Sequence, residues 1–145
     1  MTRRSTPGDE RGSAALEAAI GVPAFLLFVG LVLTGGRMAV AHQAVEAAAA
    51  DAARAASIAR TETDADRAAV ESARSSVADQ HLTCGAARVT VDVSGFRSRP
   101  GVPASASVTV TCQVPLADLA VPGLPGSRTV SASARSPIDT YRERR

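Results

Sequence analysis

The stretch AAIGVPAFLLFVGLVLTGG, residues 18–36, decides how this chain is read, because its 19 residues contain no charged side chain. As a helix rising about 1.5 Å per residue it reaches about 28 Å, close to the thickness of a bilayer's hydrocarbon core. That is long enough to span. Arg3, Arg4 and Arg11 precede it and only Arg37 closely follows, although Asp9 and Glu10 temper the basic side. An excess of arginine holds a flank on the cytoplasmic face. The expectation is a single-pass cytoplasmic membrane protein with a cytoplasmic N-terminus and an extracytoplasmic C-terminal part.

What remains outside the span is small. The whole chain has 145 residues, so the part left to fold in water cannot bury the core of a large enzyme. Sixteen basic residues, all arginine, face 14 acids and are scattered along the chain, which leaves no basic patch and does not imply a nucleic-acid partner. Phe25, Phe28, Phe96 and Tyr141 are the only aromatics, too few for base-stacking platforms or a ligand cage.

Glu17 interrupts the apolar run that begins at Ala14. A carboxylate at the mouth of a membrane helix is costly without a partner. One reading makes it a helix-start acid at headgroup level, favoured by the helix dipole. The other uses Gly12. A cut between Gly12 and Ser13 gives Ser13 a charged α-amine and makes Glu17 the fifth residue of the mature chain. An ion pair with that amine, or with a neighbouring subunit's, fixes the stagger between packed helices, a registry use of buried charge.

A short basic leader ending in Gly, a cut before an apolar helix and Glu at the fifth mature position resemble the class III signal of type IV pilins. The succession narrows the resemblance: Glu17-Ala-Ala-Ile-Gly-Val-Pro23, an aliphatic run, Gly35-Gly36-Arg37, then Ala48-Ala49-Ala50-Asp51-Ala52-Ala53-Arg54. It is similar to the TadE-like family of minor pilins, or pseudopilins, of tight-adherence (Tad, or Flp-type) pilus systems, over roughly residues 11 to 60. Ala18 stands where that family commonly has an aromatic residue. The resemblance implies a structural component with a pilin-like α+β fold. Its partners would be the cytoplasmic membrane, a prepilin peptidase, other pilin subunits and an assembly platform, with no cofactor or small-molecule substrate.

Pro23 lies inside the span and cannot donate to the carbonyl of Ala19, so it is expected to kink or loosen the helix. It reads either as an ordinary transmembrane proline or as a loosening that lets the helix leave the bilayer and repack in a filament. Gly21, Gly30, Gly35 and Gly36 offer small surfaces for close helix approach without forming a GxxxG pair.

Beyond Arg37 the helical period continues. Met38, Ala41, Val45, Ala48, Ala52, Ala55 and Ala59 recur every three or four residues, which predicts one helix from the membrane to about Arg60. Thr61-Glu62-Thr63 breaks it. Thr63 or Asp64 is expected to cap a second helix ending near Asp79, with Ala69, Val70, Ala73 and Val77 facing inward.

From Ala87 the period falls to two. Val89, Val91 and Val93 predict one strand, Val108, Val110, Cys112 and Val114 a second, and Val130, Ala132 and Ala134 a third. Gly- and Pro-rich stretches, Gly95 to Pro103 and Pro115 to Ser127, supply the connections, and the tail Arg142-Glu143-Arg144-Arg145 reads as frayed. The expected organisation is a leader (1–12), an apolar assembly helix (13–36), Ala-rich amphipathic helices (37–82) and a small sheet domain (83–145).

Cys84 and Cys112 both follow the proposed span, and an even count on the exported side favours a disulfide. With His81 they make three candidate zinc ligands without a CxxC pair, a weak alternative. His42 and His81 are far apart in sequence. No GxSxG, phosphate-cradling loop or carboxylate pair appears, and an enzyme is not expected.

A second class of function stands beside the pilin reading. Ala39-Val40-Ala41 fits the small-x-small site of a Sec signal peptide, which would release a secreted domain starting at His42. An uncut anchor carrying an extracellular binding domain is the third.

Overall fold

The computed structural model describes residues 9–80, 83–115 and 126–141, with side chains from Ala14 onward. The start of the leader, His81, most of the connection between the last two strands and the arginine-rich tail lie outside the described residues.

One continuous helix, α1 (Asp9–Ile58), carries the first third of the chain and runs about 75 Å at 1.5 Å per residue. It stays helical through Pro23. Membrane-type helices accommodate an interior proline by local adjustment of the freed carbonyls. Thr34 similarly turns its hydroxyl back onto the Gly30 carbonyl at 2.8 Å, satisfying itself within the helix.

The second helix, α2 (Glu62–Asp79), is separated from α1 by three residues. Its cap is Thr61, two residues earlier than Thr63 and three earlier than Asp64, the positions predicted from sequence. Thr61 Oγ1 accepts from the Asp64 backbone N–H at 3.0 Å and donates to Asp64 Oδ2 at 2.8 Å. The three-residue spacing lets one threonine satisfy an orphan N–H and steady the first-turn carboxylate. Thr63 and Asp64 therefore lie inside the first turn. Ala65, Ala69, Ala73, Ser76 and Val77 are buried, while Val70, expected inward, is half-buried at the margin of that stripe.

Three strands follow: β1 (Ala87–Asp92), β2 (Ala104–Pro115) and β3 (Ser127–Ile138). They form an antiparallel sheet in the order β1-β2-β3. A 3-10 turn at Ser94–Arg97 sits in the β1–β2 connection and buries Phe96. Gly95 is needed there, since a Cβ would lie 2.5 Å from the Ser105 carbonyl oxygen. β3 runs four residues beyond the predicted Ala134. Pro137 is tolerated because β3 is an edge strand.

The sheet lays one face on the helices. Val108, Val110, Cys112 and Val114 alternate inward on β2 against Ala41, Val45, Ala48, Ala49 and Ala52 of α1 in one core cluster. Alanine at those positions lets helix and sheet approach closely, so that valine side chains can fill the space between them. The opposite face is polar. Thr109 pairs with Ser133 at 2.7 Å and Thr111 with Ser131 at 3.0 Å, hydroxyl to hydroxyl across neighbouring strands.

The arrangement is α+β: a long N-terminal apolar helix, a shorter second helix and a three-stranded antiparallel sheet. The Cys84–Cys112 disulfide joins the segment after α2 to the middle strand, with Cα atoms 5.4 Å apart. Both cysteines are thus committed to each other, which removes the zinc alternative among the described residues.

Candidate assembly surface

α1 is two helices in function although one in geometry. Its second half is scaffold: Ala44, Val45, Ala48, Ala49, Ala52 and Ala56 are each at most 1% exposed. Its first half is left uncovered by the described protein. Leu27 is 76% exposed, Leu31 73% and Phe25 65%, and the apolar window has none of its residues buried. A helix apolar on all sides and uncovered is stable only where the surroundings are apolar too. α1 is long and apolar enough to cross a membrane.

Glu17 lies on this uncovered half, exposed, with no ion-pair partner among the described residues. Gly12 and Ser13 fall on the same helix within its first turns, four or more residues before Glu17. The structure brings Ser13 and Glu17 to neighbouring positions on one helix face by the four-residue spacing. A Cβ at Gly21, Gly30, Gly35 or Gly36 would meet nothing within 4 Å. Among the described residues no contact requires glycine at those four places, so their small surface is uncovered.

At the junction of the two halves the charges resume. His42 Nε2 lies 3.4 Å from Glu46 Oε1, one turn apart on the exposed side of α1. Ala41, in the sequence that also fits a signal-peptide cut, is 2% exposed and sits in the core cluster. The predicted alternative cut after Ala41 would fall within α1 at its first buried position.

Two polar contacts tie α1 to its neighbours, and neither was read from sequence. Ser76 Oγ donates to Asp51 Oδ2 at 3.0 Å across the α1–α2 seam, and Ser136 Oγ donates to Ser57 Oγ at 2.9 Å between β3 and α1. Asp51 looks like a charged interruption in an alanine run. Only the packed partner shows that it fixes helix register. An open cavity of about 540 Å³ lies along this seam beside Asp51, Arg54, Ile58 and Asp79. Among the described residues no three His, Cys, Asp or Glu side chains converge to hold a metal ion.

Fold and surface together define a class: a small α+β domain carried on a membrane-length apolar helix whose free surface is suited to helix packing. The family model for TadE-like proteins matches residues 12–54, the uncovered half of α1 and most of its buried half. That match agrees with the resemblance read from the residues and supports a component associated with Tad pili. No curated protein and no solved structure matches the chain.

Proposed function

We propose that this chain is a minor pilin, or pseudopilin, of a Tad (Flp-type) pilus or a related secretion apparatus, with a structural and not a catalytic role. The observation that carries the reading is the division of α1. Residues 18–36 are uncovered and apolar, one face of the helix from Ala41 to Ser57 is core, and the TadE-like match extends over the first and most of the second. A helix so divided can wait in the bilayer and later pack against sister helices without refolding the domain attached to it.

In this reading a prepilin peptidase cuts between Gly12 and Ser13, and the new amine pairs with Glu17 of its own or an adjacent subunit. Desolvated among apolar helices, that pair specifies stagger more than it adds stability. Pro23 leaves one carbonyl of the early helix unbonded, easing extraction from the membrane. The disulfide holds the exported sheet domain.

The test is Glu17→Gln in the native host. The account expects normal membrane levels of a folded, disulfide-bonded subunit and loss of surface pili. Full piliation by the variant would remove the registry role.

A further inference from the structure

The two ends of the Cys84–Cys112 disulfide lie in unlike surroundings. Cys112 sits on the middle strand, paired with Ala87 on one side and Val130 on the other, and is 0% exposed. Its side chain turns to the helix face with Val110 and Val114, its buried neighbours two residues away along β2. Cys84 lies just before β1 and is half-buried at the margin of the same core cluster. The chain beside it is pinned to β2. Gly85 N–H donates to the Gln113 carbonyl at 2.8 Å, and Gln113 N–H donates to the Ala86 carbonyl at 3.2 Å.

Thiol–disulfide exchange needs access to one sulfur and a partner sulfur that departs as thiolate. Attack at Cys112 Sγ takes the incoming thiolate into the core, because Cys112 has no exposed surface. Attack at Cys84 Sγ makes the new sulfur–sulfur bond there, breaks the bond to Cys112 and leaves the electron pair on Cys112. That places a negative charge among Val108, Val110, Val114 and the alanines of α1. An unpaired charge in such surroundings is expensive. The buried polar side chains among the described residues, Ser57 and Ser76, give their hydroxyl protons to the Arg54 carbonyl and to Asp51, so neither offers one to Cys112. Both routes are closed while the sheet lies on α1.

We infer that the fold locks this bond: exchange at Cys84–Cys112 proceeds only when the sheet lifts from α1 and water reaches Cys112. The same route read backwards forms the bond, since forward and reverse exchange share one transition state. Oxidation of the two thiols by an external disulfide therefore belongs to the open sheet. The closed core then shields the bond from external thiols. The lock rests on the burial of Cys112 and is independent of the pilin reading.

Reduction of the full chain by dithiothreitol in detergent micelles tests it, read as the mass gained when freed thiols are trapped with iodoacetamide. The reductant's two thiols become a cyclic disulfide, and their two hydrogens end on Cys84 and Cys112. Opening is measured separately as amide exchange at Val110. Reduction is expected to be at least about a hundredfold slower than in the urea-unfolded chain. Val45, 0% exposed on α1, is the lever that alters neither cysteine. Val45→Ala should speed reduction and Val110 exchange by the same factor, about tenfold. Sub-denaturing urea on the parent chain should also move the two rates together, and it carries the comparison if the variant does not fold. Reduction indifferent to urea and to Val45→Ala overturns the lock. So does a mixed disulfide with glutathione that builds up at Cys84 while Val110 stays protected, since the folded protein would then accept attack there.

Discussion

Ser57 and Ser136, 79 residues apart in sequence, share a hydrogen bond of 2.9 Å that fastens the last strand to the last turn of the long helix. Ser57 also donates to the Arg54 carbonyl at 2.9 Å, so its oxygen is free to accept from Ser136. It is one of two buried polar residues among the described residues, at 7% exposure. The pair sets how far β3 slides along α1, and through it the height of the sheet above the apolar half.

Ser57→Ala leaves the Ser136 hydroxyl without its acceptor and should cost about 1 kcal/mol. Ser57→Leu should cost more, since a larger side chain must fit beside Ala56 and the sheet. Urea unfolding of the detergent-solubilised chain, followed by circular dichroism, measures both. An unchanged midpoint for Ser57→Leu would contradict the tight packing described.

The disulfide encloses residues 84 to 112, a sequence separation of 28. In the chain-entropy model such a loop stabilises by about 3 to 4 kcal/mol, a large share for a small domain. Cys84→Ser with Cys112→Ser should lower stability by that order, and reductant should do the same to the parent chain. Cys112→Ser also puts a hydroxyl at a position 0% exposed, so Cys112→Ala with Cys84→Ala is the cleaner comparison.

Gly95 tests the close approach of the 3-10 turn to β2. Its missing Cβ would lie 2.5 Å from backbone, which cannot move aside as a flexible side chain could. Gly95→Ala should destabilise by about 1 to 3 kcal/mol and displace Phe96, seen as faster amide exchange at Phe96 and Ser98.

Asp92 provides a pH signature. The Ser94 hydroxyl and backbone N–H, and more distantly the Arg135 guanidinium, hold its carboxyl below the ordinary value. A depressed native pKa gives stability that is complete above the unfolded value of about 3.9 and is lost as pH falls through the native one. Asp92→Asn should therefore be less stable than the parent at neutral pH, with the difference shrinking in acid. A difference independent of pH would assign the effect to packing.

How much of this was legible in sequence depended on side-chain size. α1 and α2 announce themselves because a stripe of alanine and valine every three or four residues needs no partner to be seen. β2 is equally plain, its valines alternating with threonine. The alternation that predicts β3 ends at Ala134, before Arg135, because Ser136 is small and polar. Its inward place becomes visible only once Ser57 is beside it. Phe96 falls in a predicted connecting loop, since one aromatic has no period, and the hydroxyl pairs Thr109–Ser133 and Thr111–Ser131 require a strand register that sequence does not contain. Glu17 and the glycines of the apolar half were readable through spacing and chemistry. On the proposed reading their partners are other subunits, which the fold of this chain alone does not display.

The central claim is that α1 is a pilin helix exposed by removal of a leader. The most direct measurement is the N-terminal sequence and intact mass of the protein recovered from the host's membrane and sheared-surface fractions. The account predicts a start at Ser13 in both. A start at His42 would make the chain a secreted domain, and one at Met1 or Thr2 an uncut anchor; either contradicts it.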